Sequence, residues 1–472
     1  MLGLGLADFF RPQAALAAPA RFGQARSCIL IHLFGAPPQH ETFDPKPDAP
    51  TEVQGEMKGI ACRIPGAQIS EGLPRLAQIA DRLAIVRSLT HAWPFHGVHY
   101  ALSGIPEISP TVEADPNDRR LWPFLGSVVD YLAPRDGAVA PVPANIALPF
   151  RLYSKANFRL LGGPYAGFLG SRYDPVWTEF AARGTRPVPN PTARADLFDP
   201  YGGIRPQDGF DLAGADALHR DLTPQRIGLR RALLEQFDLA RRAFDGRTLA
   251  SGARDPEAVA RFGRQREQAY SLLNSPRLAV ALDIQREPLS GRERYGMTLF
   301  GQSLLAARRL IEAGGKCVTV FWDAYGDATA GWDTHFHHYP RLRQFLLPGF
   351  DQAFAALILD LEARGLLDET LVLCVSEHGR TPRITNTPGG GREHWSRVYS
   401  AVLAGGGLAR GRVIGRSDRI GGDVADTPIS PKDILATAFH LLGIDPHTSV
   451  PDQLGRPVPI AGAGVLRPEL LA

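Results

Sequence analysis

The strongest constraint in this sequence is a series of short apolar runs, each stopped by turn residues and followed by histidine and carboxylate side chains. The first is Cys28-Ile29-Leu30-Ile31-His32-Leu33-Phe34, ended by Gly35 and two prolines. It is too brief for an independent helix and apolar at nearly every position, so it reads as a strand buried on both faces. Ala84-Ile85-Val86-Arg87, Val318-Thr319-Val320-Phe321-Trp322, Leu371-Val372-Leu373-Cys374-Val375 and the segment Ser400 to Ala404 repeat the pattern. Between them, Leu73 to Leu83, Gly301 to Ala313, Phe350 to Arg364 and Ile434 to Leu442 carry apolar residues at helical spacing, and a short helix is expected from about Gly97 to Gly104. Strands this apolar, alternating with helices, predict an α/β fold: a central, mostly parallel sheet covered by helices on both faces.

Residues 109–272 break the rhythm, because clusters of Pro, Gly and Arg interrupt brief apolar segments. They predict a cap-like insertion, helical from about Thr223 to Ala243, within a single domain over 26–472. The chain of 472 residues is 44% hydrophobic and 21% charged, so it has apolar material for a sizeable core and is not disordered overall. With 52 basic and 49 acidic residues the surface is nearly balanced, which argues against a nucleic-acid partner. No run approaches the ~20 apolar residues needed to span a bilayer. The apolar stretch Met1 to Phe10, followed by Ala15-Leu16-Ala17-Ala18-Pro19-Ala20, looks like the tail of an export signal without its basic start. Residues 1–25 are therefore expected to be a signal remnant or flexible terminus, and the protein to be exported to the periplasm, or cytoplasmic if this segment is no signal. Cys28, Cys62, Cys317 and Cys374 form no C-x-x-C pair, which excludes a zinc ribbon or thioredoxin motif. Cys28, Cys317 and Cys374 lie inside strand-like runs and should be buried, reduced thiols.

Sites in open parallel sheets lie beyond the carboxyl ends of the strands. After the first run come Gln39, His40, Glu41 and Asp44; after the second, Thr90, His91, His96 and His99. After the third come Asp323, Asp327, Asp333, His335, His337 and His338, and after the fourth Glu377, His378 and Arg380, then Glu393 and His394. Imidazole with carboxylate suits divalent zinc, with manganese, calcium or iron as alternatives, one or two ions per chain. Two ions ~4 Å apart would clamp the attacking and leaving oxygens of a phosphoryl transfer. Asp333 and His335, one residue apart in a turn, can point at one centre. Glu377 and His378 are adjacent at a strand end and diverge, so each serves a different ion or only one binds. Any one of these residues also reads as an ordinary hydrogen-bonded loop or a buried structural histidine; their recurrence at successive strand ends favours metal. Arg380 could fork onto a phosphate or sulfate oxygen, or form a salt bridge that locks its own loop. Gly405-Gly406-Gly407 lacks a following Lys-Ser/Thr pair and is a flexible turn. There is no G-x-S-x-G elbow, and no glycine fingerprint after the first strand, which count against a serine hydrolase and a dinucleotide-binding fold.

Gly331-Trp332-Asp333-Thr334-His335, Glu377-His378-Gly379-Arg380-Thr381-Pro382, Glu393-His394-Trp395 and the stretch Gly35 to Pro47 resemble the domain of unknown function 1501 family. That family belongs to the alkaline phosphatase-like superfamily, with arylsulfatases and metal-dependent phosphoglycerate mutases, and the resemblance runs from Arg26 to about Pro446. It implies an alkaline phosphatase-like sandwich and twin-arginine export. It further implies one metal held by Asp333, His335 and His394, and another by Glu377, His378 and Glu41. Two features depart from the superfamily pattern. Glu377 stands where an aspartate is usual, and the position of the catalytic Ser, Thr or modified Cys falls in Trp93-Pro94-Phe95-His96-Gly97-Val98-His99-Tyr100, which has none of them. Thr90 or His96 then supplies the nucleophile, a metal-bound hydroxide replaces it, or hydrolysis has been lost. The resulting expectation is an exported, metal-dependent hydrolase of phosphate or sulfate esters, acting on a small molecule or polysaccharide. The alternative is a non-catalytic exported binding or scaffold module on the same fold.

Overall fold

The computed structural model describes residues 21–94, 96–103, 120–133, 140–156, 162–190, 197–213, 275–326 and 331–472, with the single positions 112, 115, 118 and 236. The expected helix at Thr223 to Ala243 and the segment Met1 to Ala20 lie outside them, apart from Gln236.

Leaving aside three small two-stranded ribbons, the strands in chain order are β1 (Ser27–Leu33), β2 (Leu83–Leu89), β3 (Asn145–Leu148), β4 (Val176–Glu179), β5 (Asp211–Leu212), β6 (Cys317–Trp322) and β7 (Thr370–Val375). A small ribbon of β8 (Gly379–Arg380) and β9 (His394–Trp395) precedes β10 (Tyr399–Ala404) and β11 (Arg412–Ile414). All but the ribbon join one nine-stranded sheet in the order β11-β2-β10-β7-β1-β6-β3-β4-β5. Only β5 and β10 run against the common direction. The mixed α/β sheet, mostly parallel, is therefore as expected. β1 lies at its centre, with Cys28 opposite Cys317 of β6 on one side and Leu371 of β7 on the other.

Alternation along β1 explains why helices cover both faces. Ile29, Ile31 and Leu33 enter a core with α1 (Pro74–Ile79), α4 (Leu299–Glu312) and α6 (Leu347–Ala363). Cys28 and Leu30 enter a second core with α2 (Val98–Ser103), α3 (Leu125–Leu132) and α7 (Pro431–Leu441). Each fully buried Leu or Ile in these cores contributes roughly 2 kcal/mol. The helix starts are fixed locally: Thr298 accepts from the Gly301 N–H, and Ser430 and Asp433 form a reciprocal capping box. The short helix α5 (His338–Arg341) lies close to the strand ends that carry the site.

The stretch expected to be a cap behaves differently where it is described. Its segments at β3, β4 and β5 extend the edge of the central sheet, pairing outward from β6. Four residues or fewer per strand, set among Pro and Gly, leave too little periodicity to be read in advance. Cys28, Cys317 and Cys374 are buried free thiols and Cys62 is half-buried. Among the described residues no helix is long and apolar enough to cross a membrane.

Candidate metal centre

The turn after β1 sets the geometry. Gly35 has φ of 98° and Ala36 of 62°, and a Cβ on Gly35 would strike the backbone of Trp332 and Asp333. Glycine is thus required here, and its absence of a side chain lets the Asp333 loop close against the end of β1. The Gly35 N–H donates to Glu377 Oε1 at 2.7 Å, tying the end of β1 to the loop after β7. That loop continues into β8, which pairs with β9 so that Arg380 lies opposite His394. Across the pocket, the loop from β2 to α2 is pinned to the same place: His91 Nε2 donates to the Glu377 carbonyl at 2.7 Å, and Trp93 N–H donates to His91 Nδ1 at 3.1 Å.

Four histidines converge on this point, and each has its Nδ1 tied to an oxygen. His96 Nδ1 donates to Glu377 Oε1 at 2.7 Å, and His335 Nδ1 to Glu393 Oε2 at 2.6 Å. His378 Nδ1 donates to the Gly379 carbonyl at 2.8 Å, and His394 Nδ1 to the Pro94 carbonyl at 3.1 Å. With Nδ1 tied in this way, it is Nε2 of each ring that is turned to the pocket, where the neutral form of the ring can offer its lone pair to a metal. His335 Nε2 lies 3.1 Å from His394 Nε2 and 2.9 Å from Asp333 Oδ1. Asp333 Oδ2 lies 3.5 Å from His96 Nε2, too long for a strong hydrogen bond. The Nε2 atoms of His96 and His378 are buried without a hydrogen-bond partner. Among the described residues, two groups of three place their ligand atoms within 4.8 Å of one another: His96, His378 and His394, and Asp333, His335 and His394.

The electrostatics call for a cation. Burial opposes ionisation of Asp333, yet Arg380, His335, His394 and His96 hold its pKa well below the usual range. Burial likewise opposes Glu377, but His96, His32 and His378 bring it down to about 2. For His96 burial lowers the pKa, and the nearby carboxylates of Asp333 and Glu377 outweigh it and raise the value to about 9. His32 and His91 are both lowered to about 4 by burial, and His378 is lowered further by burial and the nearby His96. Two ionised carboxylates beside imidazoles whose Nε2 atoms face inward are the donor set a divalent ion takes up.

Of the residues singled out in the sequence, Asp333, His335, His378, His394 and His96 are brought together. Glu377 adjoins them but faces His96, Gly35 and, 3.6 Å away, His32 Nε2. Glu41 is placed elsewhere. Arg392 Nε reaches its two oxygens at 3.1 and 3.0 Å, Arg392 Nη2 donates at 2.6 Å, and His338 Nε2 lies at 3.3 Å. A carboxylate so enclosed has no lone pair left facing the pocket. Arg380 also departs from the substrate-binding role considered for it. It is fully buried, with its guanidinium bonded to the carbonyls of Gly35, Ala36 and Arg392, to Asp333, and at 3.4 Å to His335. All five N–H groups are engaged, so it positions Asp333 and the loop. Thr90 joins Ile429 through its backbone N–H and is not among the converging side chains. Glu393 and His338 stand in the motifs or strand-end segments of the sequence without a role, and Arg392 is marked by no sequence pattern. A glutamate directly before a candidate ligand was the available signal for Glu393.

The class defined so far is an α/β protein with a histidine-rich pocket at the carboxyl edge of its sheet. The chain belongs to the family described as Protein of unknown function (DUF1501), matched over residues 25–467. Among solved structures it is similar to Ps i-CgsB, at 10% identity over 89% of this chain and 73% of that one, with a TM-score of 0.39. It is similar to the PsFucS1 sulfatase from Pseudoalteromonas sp. at 10% identity over 90% and 69%, TM-score 0.38. The phosphonate monoester hydrolase SpPMH from Silicibacter pomeroyi is similar at 10% identity over 89% and 73%, TM-score 0.34. No curated protein matches the chain.

Proposed function

We propose that this protein is an exported, divalent-metal-dependent hydrolase of phosphate or sulfate esters on a small molecule or polysaccharide. The observation that carries the reading is the set of four imidazoles, each with Nδ1 bonded to an oxygen, gathered with Asp333 at the strand ends. Export rests on the small-residue pattern before Ala20. A nitrogen-rich donor set with one carboxylate suits zinc, manganese or iron better than calcium, which takes oxygen ligands. A divalent ion held there supplies Lewis-acid polarisation of the ester oxygen and a lowered pKa for water. The chain's own groups prepare the place. Arg380 keeps Asp333 ionised and oriented, and Glu393 keeps the proton of His335 on Nδ1. The segment from Trp93 to His99 contains no Ser, Thr or Cys, so the attacking oxygen comes from solvent.

The test is metal analysis of protein purified without chelators, paired with turnover of 4-nitrophenyl phosphate, 4-nitrophenyl sulfate and an aryl phosphonate monoester. Stoichiometric transition metal, with turnover lost in chelator and restored by added ion, is expected. Bound metal with no turnover of any ester would favour a scaffold module, and no bound metal would remove the proposal.

A further inference from the structure

We infer that His96 is a metal ligand standing where a nucleophile would be expected, and that Glu377 is the positioning carboxylate behind it and not itself a ligand. The inference rests on the metal-site reading above and deepens it.

Glu377 is fully buried, and its Oε1 accepts from both the Gly35 N–H and His96 Nδ1, each at 2.7 Å. Its Oε2 faces His32, a residue of the central strand, at 3.6 Å. Neither ligand group among the described residues includes it, whereas His96 completes one of them with His378 and His394. Glu377 therefore stands to His96 as Glu393 stands to His335: a carboxylate that fixes the proton on Nδ1 and aims Nε2 inward. The two glutamates differ in setting, since the Glu393 side chain is 52% exposed and that of Glu377 is wholly enclosed. Enclosure makes the Glu377 contact the firmer of the two. His91 strengthens it further by holding the Glu377 carbonyl, so the whole loop that carries His96 is registered on one residue. The rings of His96 and His394 lie edge to face at 4.3 Å, within the spacing of ligands on a common ion.

The experiment uses cobalt(II) as probe, with the full chain stripped of metal. Ion count and affinity are read by titration and coordination by the visible absorption band, for wild type, His96→Ala, His96→Gln, Glu377→Gln and Glu377→Ala. Glutamine keeps an acceptor for His96 Nδ1, so Glu377→Gln should bind as many ions as wild type, with the wild-type band and affinity lower by about 10- to 100-fold. Glu377→Ala should weaken binding more than Glu377→Gln, and both His96 variants should shift the band. Loss of an ion in Glu377→Gln would make Glu377 a ligand and overturn the inference. An unchanged band and affinity in both His96 variants would overturn it as well, returning His96 to a nucleophile or structural role. Failure of wild type to bind cobalt would instead strike the metal-site reading itself, and the inference with it. Far-ultraviolet circular dichroism on every variant separates these outcomes from misfolding, and His96→Gln keeps the test open if His96→Ala does not fold.

Discussion

Two buried glutamates sit beside histidines in this protein, and they are resolved in opposite ways. Glu41 is gripped by Arg392, which also donates to the carbonyls of Val53 and Thr381, while His338 closes the remaining side and is itself tied to Thr334 at 2.8 Å. The charge of Glu41 is neutralised inside the protein and both its oxygens are engaged by Arg392, although His338 Nε2 itself makes no hydrogen bond. Glu377 has no arginine; its bonded neighbours are the Gly35 amide and His96, and its Oε2 lacks a hydrogen-bond partner. The first arrangement holds loops together. The second leaves a pocket whose negative charge is balanced by a proton on His96 or by a bound cation. The difference lies in what closes the carboxylate: Arg392 engages both oxygens of Glu41, whereas Glu377 is left to a histidine and a backbone amide.

The largest effect should come from breaking the closed pair. Arg392→Met leaves Glu41 buried and unpaired, and unfolding in urea should show a loss of about 3–5 kcal/mol. Glu377→Gln, measured in chelator, should cost less than about 1.5 kcal/mol, because glutamine keeps an acceptor for the Gly35 N–H and His96 Nδ1 and the charge removed faces a histidine that can lose its proton, not a permanent cation. Equal losses would erase the contrast between the two sites.

Metal should sharpen the same contrast. Zinc at 100 times its dissociation constant should stabilise the wild type by about 2.7 kcal/mol, read as a rise in Tm. His394→Ala should abolish most of that rise, since His394 belongs to both ligand groups. Glu41→Gln should keep it in full, though starting from a lower Tm. A lost zinc response in Glu41→Gln would restore Glu41 to the ligand set.

A smaller effect is expected from pH in the presence of chelator. The pKa of His96 is raised to about 9, so its stabilising contribution is complete below the unfolded value of about 6.5 and is lost as pH rises through 9. Unfolding free energy should fall by on the order of 2 kcal/mol across that window, and His96→Ala should flatten the fall. The Glu41 site is silent there. Burial opposes its ionisation, but Arg392 and His338 depress its pKa, so its contribution is present above about 4.3 and lost only in acid. The smallest effect is at Thr90: Thr90→Ala should change metal content and turnover by less than about two-fold, or ~0.4 kcal/mol. A larger loss of turnover with full metal content would point to Thr90 as the nucleophile.

The central strands and the long helices were legible because their apolar patterns extend over five or more residues and agree with their neighbours. β1, β6 and β7 and helices α4, α6 and α7 fall within a few residues of their expected bounds. The post-strand histidines were legible for the same reason: the strand ends locate them. What the chain does not announce is which carboxylate meets which imidazole. Glu41 meets Arg392 from 351 positions away, and His96 meets Glu377 from 281. Adjacent residues there have unlike fates, since Glu393 orients His335 while His394 faces the pocket. Such choices depend on side-chain direction after the strands have paired, which no local pattern encodes.

The position of β1 has a consequence for how the protein is made. It precedes every other strand of the central sheet, and both of its sheet neighbours, β6 and β7, begin about 290 residues or more further along. At ~5–20 residues per second that is on the order of 15 to 60 s during which a mostly apolar strand has no partner on either edge. The nascent chain must therefore be shielded from self-association over that interval. Because Gly35 and Glu377 meet only after β7 is in place, the pocket itself comes into being only once β1 and β7 have paired, as a property of the assembled strands.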